Sequence, residues 1–428
     1  MTIQELYLRF KECSTVTTDT RNISENSMFF ALKGPNFNAN EFAAEALKKE
    51  SRYAIIDEKE FLIDERTILV DNVLKTLQDL SKYHREQLSI PVIGITGSNG
   101  KTTSKELMFA VLSKKYKVAA TKGNLNNHIG VPLTILSIDQ DIEIAIVEMG
   151  ANHAGEIAFL CTLSQPNYGL ITNIGMAHLE GFGSLETIIE TKTALYKFLA
   201  RSGGKAFVNE QDERLVGLSN KNDRVLFRNK KNINAQAIPS TSPFLSFDLT
   251  DEGEIYKGIE TQLVGDYNLD NILAALAIAK YFDVKMEDSI AAIKDYRPAN
   301  NRSQWMNSGK NQLILDAYNA NPSSTYSAIR NFETLLADNK IIILGDMLEL
   351  GKIEKEEHQR IIDLLNENKI QTLLVGPIYN SCTIGPSMKQ FSSTEDAKAY
   401  LLSSPLENKT ILIKGSRGLK LESLVDAL

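Results

Sequence analysis

Short, almost wholly apolar runs recur along the chain, each bounded by small or charged residues. In the first ~85 residues these are "SMFFALKG", "YAIID" and "TILVD", with a helical spacing of apolar positions near "NEFAAEALKKE". "REQLSIPVIGIT" reads as a linker running into a strand, with Pro91 at the strand's start. Beyond it "VIGIT", "KVAAT", "IEIAIVEMG", "YGLITNIG" and "KAFVNE" predict five strands separated by helix-like stretches. That alternation predicts parallel βαβ units. A polar interval near 217–260, rich in Asn and Ser, predicts irregular or antiparallel structure. "DNILAALAIAKYF" predicts a strong helix, and "DYRPANNRSQ" then gathers Pro, Asn and charge as a hinge near 298–302. A second α/β series follows with "QLILDAY", "KIIILGDM", "TLLVGP" and "KTILIKGS". No internal repeat and no low-complexity tract interrupts the pattern. The expected organisation is three α/β domains: 1–88, a parallel-sheet domain over 89–298, and a Rossmann-like domain over 299–428.

Composition changes this picture little. At 428 residues, 43% hydrophobic and 24% charged, the chain has the balance of an ordinary globular protein. A net charge of -7 argues against a nucleic-acid or membrane-surface binder, which would need a basic face. Glu5, Arg9 and Lys11 interrupt the N-terminal stretch where a signal peptide would be apolar. Cys13, Cys161 and Cys382 are odd in number and widely spaced, so neither a disulfide framework nor a CxxC metal site is expected. A reduced cytoplasm fits best.

The chemistry enters at "GITGSNGKTTSKEL". The phosphate-binding pattern G-x-x-x-x-G-K-[ST] would put glycine at position 95, where this chain has Ile. Otherwise the features are present: a strand, a small-residue turn, Gly100, Lys101, Thr102, and the opening of a helix. Backbone N–H groups of Gly97, Ser98, Asn99, Gly100, Lys101, Thr102 and Thr103 can wrap a phosphate at a helix N-terminus. Lys101 would reach the terminal phosphates and Thr102 a Mg²⁺ ion. Glu148 ends an apolar strand on the same side of the expected sheet. Alone it would read as a solvated edge residue, but beside a phosphate loop it reads as a metal carboxylate. His178 follows another strand among Gly175, Gly181 and Gly183, and suits either a metal ligand or a satisfied loop residue. Lys192 lies in the next helix, where a lone lysine is ordinarily a surface charge.

Together "TGSNGKTT", "VEMGANHAGEI", "NIGMAHLEGFGS…TK", "GDYNLDNILAA" and "DAYNANPSS" resemble the Mur ligase family, in order and over nearly the whole chain. That family's loop keeps G-x-x-G-K-T without the earlier glycine. The resemblance implies ATP-dependent formation of an amide bond through an acyl phosphate, between UDP-N-acetylmuramoyl-tripeptide and D-alanyl-D-alanine. It implies two Mg²⁺ ions held by Thr102, Glu148, His178 and Lys192, the last carrying a carbamate. Asn268 and Asn271 match adenine-contacting residues, Arg302 an arginine reaching the terminal phosphate, and Asp316 an acid near the ribose. "TDTRNISENSMFFALKG" resembles the segment that holds the uridine nucleotide, through Thr20, Arg21 and the backbone near Phe30. Asn126 and Asn127 match contacts to the muramoyl end. Tyr318, Asn319 and Asn321, with Lys414 and Arg417, match the site for the incoming amine and its carboxylate. A monomer with a third domain that swings closed to exclude water is expected. Two rivals remain. "NKND" at 220–223 matches the guanine-reading N-K-x-D of a regulatory GTPase, but no D-x-x-G lies between Thr102 and Asn220. A sister ligase adding one amino acid would carry D-N-P where this chain has "DAYNANP".

Overall fold

The computed structural model describes residues 1–229, 231–239, 242–299, 301–337 and 339–428. The runs that are apolar on successive residues become buried strands, because a parallel sheet covered by helices on both faces leaves no polar side. In the first domain Thr15–Thr17, Ser27–Phe30, Tyr53–Ile56 and Thr67–Leu69 pair in that order, all parallel. The helix Val73–Gln87 closes the domain, capped by the Asn72 side chain accepting from the Lys75 N–H and burying Val73, Leu77 and Leu80 at helical spacing. Its last turn takes in Arg85–Gln87, so the expected linker is shorter than the sequence suggested. Arg85 is buried there and donates to the carbonyls of Ser164 and Gln165, joining the first domain to the second.

The second domain is a six-stranded parallel sheet in the order Asp223–Phe227, Lys205–Asn209, Tyr168–Ile171, Val92–Thr96, Ile144–Glu148, Val118–Ala120. Val92–Thr96 is central, and the connections run first to one side and then to the other. A crevice therefore opens at its carboxyl end, where α/β sheets place their ligands. The polar interval near 217–260 is only partly antiparallel. Asp223–Phe227 joins the parallel sheet, and Ile233–Ile238, Phe244–Asp251 and Glu254–Val264 form a separate antiparallel sheet. Lys230, Ser240 and Thr241 in that interval lie outside the described residues. Leu269–Tyr281 is the expected helix, buried along most of its length between the two sheets.

The third domain pairs Gln304–Asn307, Gln312–Asp316, Thr410–Lys414, Lys340–Gly345, Gln371–Val375 and Met388–Phe391 in that order. Only the first of these is antiparallel to its neighbour. The connection into it follows the helix Met286–Asp295 and includes Asn301 and Ser303, both with positive φ. Asn300, within the expected hinge, lies outside the described residues. Among the described residues no helix is long and apolar enough to cross a membrane.

Candidate active site

The phosphate loop sits where the central strand Val92–Thr96 gives way to the helix Lys101–Leu112. Two glycines make the turn possible. Gly97 has φ +148° and a Cβ there would meet Thr172 Oγ1 at 1.9 Å; Gly100 has φ +78° and a Cβ would meet Asn271 Oδ1 at 2.5 Å. Side chains hold the turn from behind. Ser98 Oγ donates to the Gly175 carbonyl at 2.8 Å, and the Asn99 N–H donates to Asn173 Oδ1 at 3.0 Å. Ser104 Oγ donates to Asn271 Oδ1, and Asn271 Nδ2 in turn donates to Asn268 Oδ1, each at 2.9 Å. The two asparagines expected at adenine thus brace the first turn of the loop's helix.

Two lysines converge on one carbonyl. Lys101 Nζ donates to Gly97 O at 2.7 Å and Lys192 Nζ, from the helix Leu185–Ser202, donates to the same oxygen at 3.0 Å. Lys192 is 1% exposed and has no carboxylate partner among the ion pairs of the described residues. Burial, with the Lys101 charge adding to it, holds Lys192 well below the ordinary lysine range. Burial also brings Lys101 down to about 8, opposed by Glu148 and assisted by Arg302. A neutral or easily neutralised amine at this position is the physical opposite of a surface charge.

Opposite the lysines, Glu148 is 1% exposed at the end of its strand. Its Oε1 accepts from Thr102 Oγ1 at 3.2 Å and from Asn126 Nδ2 at 2.8 Å. Its Oε2 is buried with no hydrogen-bond partner. An orphaned carboxylate oxygen beside a threonine hydroxyl fits a hard cation. Among the described residues no group of three or more His, Cys, Asp or Glu side chains gathers to hold a metal. A cation here would therefore take its remaining ligands from phosphate, water or a modified lysine.

The third domain faces this cradle across an open cleft of about 250 Å³ lined by Thr102, Asn301, Arg302, Tyr318, Arg417 and Glu422, among others. The Arg302 guanidinium stacks 3.6 Å over the Tyr318 ring, and Arg417 lies 5.0 Å from the same ring's centre. Arg302 Nε is buried without a partner. Lys414 is 2% exposed and bonded to Asp316 Oδ2 at 2.7 Å and to the Asn319 carbonyl at 3.1 Å. Contacts tie the domains together around the cleft. Asn321 Nδ2 donates to Asn99 Oδ1 at 2.7 Å, and Asn99 Nδ2 donates to Ser323 Oγ at 3.0 Å. His178 Nδ1 pairs with the Glu349 carboxylate, and the Glu180 N–H donates to the Glu349 carbonyl at 3.0 Å.

This layout has relatives. Residues 95–279 match the family described as "Mur ligase middle domain", and residues 301–417 that described as "Mur ligase, glutamate ligase domain". The chain is 33% identical to the UDP-N-acetylmuramoyl-tripeptide–D-alanyl-D-alanine ligase of Bacillus subtilis, over 96% of this chain and 92% of that one. It is 31% identical to the Escherichia coli enzyme of the same name, over 96% and 93%. The solved structure of MurF from Acinetobacter baumannii superposes with a TM-score of 0.86 at 28% identity, covering 99% of this chain and 97% of that one. The chain belongs to the Mur ligase family.

Within this Mur ligase the expected residues fall into two groups. Thr102, Glu148, Lys101 and Lys192 surround the loop, and Arg302, Tyr318 and Arg417 share the cleft with Thr102. Other expected residues are engaged elsewhere. Asn126 holds Glu148, whereas Asn127 Oδ1 accepts from the N–H groups of Ile129 and Gly130 and so shapes a helix start. Asn321 caps the helix Pro322–Thr334 as well as reaching Asn99. Asn319 Oδ1 accepts from the Ala320 N–H. In the first domain Arg21 is exposed and forms an ion pair with Asp19, and Lys49 Nζ donates to the Thr20 carbonyl. Sequence reasoning singled out neither Glu349 nor Glu422. Glu349 lies within "LGDMLELG" and Glu422 just after "KGSRGLK"; only long-range packing brings Glu349 to His178 and Glu422 to the cleft.

Proposed function

We propose that this chain joins UDP-N-acetylmuramoyl-tripeptide to D-alanyl-D-alanine in an ATP-dependent ligation, acting as a cytoplasmic monomer with functional units over 1–88, 89–298 and 299–428. The observation that carries this reading is the shared cleft: Thr102 of the phosphate loop and Arg302, Tyr318 and Arg417 of the third domain line one space. In the reaction, a carboxylate oxygen of the tripeptide attacks the γ-phosphorus and the bond to ADP breaks. Lys101 and Arg302 neutralise the charge that develops on the transferring group. The amine of the dipeptide then attacks the acyl carbon, the C–O bond to phosphate breaks, and the amine's proton is lost. Thr102 and Glu148 would hold Mg²⁺, which supplies positive charge to the phosphate oxygens. A second ion, with His178 and a carbamylated Lys192 among its ligands, extends the reading. The depressed basicity of Lys192 supports that modification, since only an uncharged amine can take up carbon dioxide. Asn268, Asn271 and Asp316 serve the nucleotide, Thr20 and Arg21 the uridine end, and Asn126 and Asn127 the muramoyl end. Asn319, Asn321 and Lys414 support the amine site.

An acyl phosphate survives only if water is kept out. The Asn99–Asn321 and His178–Glu349 contacts close the third domain over the loop, and substrates enter when they part. The reading is tested by phosphate release from ATP with the UDP-linked tripeptide, comparing D-alanyl-D-alanine with single amino acids. Release with the dipeptide and little with D-alanine or L-lysine is expected. Preference for a single amino acid would replace this assignment with that of a sister ligase.

A further inference from the structure

The cleft holds one group that the reading above leaves idle. Among the described residues that line it, Arg302 and Arg417 are cationic and Glu422 is the single acid. Glu422 Oε2 is buried and has no hydrogen-bond partner. Leaving a carboxylate oxygen so placed costs about 1–3 kcal/mol or more, so an unpaired one is a group set aside for something else. Its backbone is held firmly. Glu422 lies in the short 3-10 segment Leu421–Ala427, whose Leu421 and Leu424 are fully buried in the third-domain core. Leu421 packs so closely on Gly345 and Gly415 that a Cβ at either would meet it at 2.8 or 2.6 Å. Glu422 thus lines, from a rigid support, the same cleft as Thr102, Arg302 and Arg417.

We propose that Glu422 receives the ammonium of the incoming dipeptide, while Arg417 takes its carboxylate. This rests on the ligase reading and names the specificity element of its amine site. A dipeptide is a zwitterion at neutral pH. A cleft with only arginines would bind its carboxylate end and repel its ammonium end, leaving the nucleophile turned away. One acid in the cleft that Thr102 also lines gives the ammonium a partner and turns the nitrogen toward the acyl carbon. Attack follows when the ammonium passes one proton to the Glu422 carboxylate; the nitrogen lone pair then forms the C–N bond as the C–O bond to phosphate breaks, the second proton leaves with the phosphate, and the neutral amide no longer pairs with Glu422, which favours release.

The test uses a nucleophile that needs no ammonium pocket. Hydroxylamine is mostly uncharged at pH 7.5; it attacks the acyl carbon and releases phosphate, leaving a hydroxamate. In Glu422→Gln the KM for D-alanyl-D-alanine should rise between about tenfold and a hundredfold, as expected for loss of a charged hydrogen bond. The KM for the UDP-linked tripeptide and hydroxylamine-dependent phosphate release should stay within about twofold of wild type. An unchanged dipeptide KM overturns the proposal. Equal loss of the dipeptide and hydroxylamine routes also overturns it, because Glu422 would then act before the amine step. Wild-type enzyme that releases no phosphate with either nucleophile would instead refute the ligase reading itself.

Discussion

Two fully buried lysines in this protein have opposite surroundings. Lys414, 2% exposed in the third domain, is held 2.7 Å from Asp316, so its charge is compensated by the fold. Lys192, 1% exposed in the second, bonds only a carbonyl and shares it with Lys101. The fold compensates one charge and concentrates the other. A buried ion pair that loses one member strands its partner, whereas an uncompensated buried charge opposes folding and persists where something outside the chain answers it. Burial holds Lys192 toward its uncharged form, so the fold avoids that cost by keeping the amine neutral.

The sharpest way to break this contrast is at Lys101, which on the proposed reading reaches the transferring phosphate. Lys101→Ala should reduce ADP formation by at least about a hundredfold while the circular dichroism spectrum stays unchanged. Retention of more than a few per cent of activity would separate the lysine cluster from phosphoryl transfer. Lys192→Ala should cost about 10- to 100-fold in turnover without a matching change in fold, as loss of a metal-site residue does. High bicarbonate should not restore it, and short-chain carboxylates should rescue it partly if the native residue is a carbamate. Wild-type turnover would return Lys192 to the status of an ordinary charge.

Lys414 should behave in the opposite sense. Lys414→Met should lower unfolding free energy by about 1–3 kcal/mol in urea titrations, because the partly buried Asp316 loses its charged partner and keeps only the Ser303 N–H. Adding Asp316→Asn should recover part of that loss, and two independent, additive effects would show that the pair is not coupled.

A smaller effect sits at His358, a buried base with an acid nearby. Its Nε2 accepts from the Met347 N–H at 2.9 Å and lies 3.7 Å from Asp346 Oδ1. Burial holds it below the ordinary histidine value of 6.5 despite the opposing Glu354 carbonyl and Asp346. The unfolded chain therefore takes up this proton at higher pH than the folded one. Stability conferred by the neutral ring is full above about 6.5 and is lost as pH falls from there toward the folded value, by at most about 1.4 kcal/mol per pH unit. His358→Gln should flatten that decline, whatever its effect on absolute stability. An identical slope in the variant would mean that the ring titrates alike in both states.

Much of this could be read from the chain. Most strands of both larger sheets were legible as continuous apolar runs; the edge strands Asp223–Phe227, Gln304–Asn307 and Met388–Phe391, with half-buried or exposed positions, were not. The phosphate loop and Glu148 were legible because a strand, a turn and a helix are local. Val73, Leu77, Leu80 and His84 recur at the spacing of the helix Val73–Gln87, but its end is obscured in the sequence by the apolar "SIPVIGIT" that follows, which carries the pattern of a strand. What joins the domains was not legible. The Asn99–Asn321 and His178–Glu349 contacts span 222 and 171 positions. No periodicity encodes such pairs; they follow from how the sheets stack. Nor does sequence distinguish Lys192 from Lys414, since partners, not spacing, make one costly and the other compensated.

The most direct test of that distinction is urea unfolding of Lys192→Met, measured without nucleotide in bicarbonate-free buffer. Replacing a buried amine that has no charged partner by an apolar side chain of similar length should leave the protein at least as stable as wild type. A gain of up to about 2 kcal/mol is expected. A clear loss of stability, like that expected for Lys414→Met, would show that Lys192 is a structural partner and contradict the account.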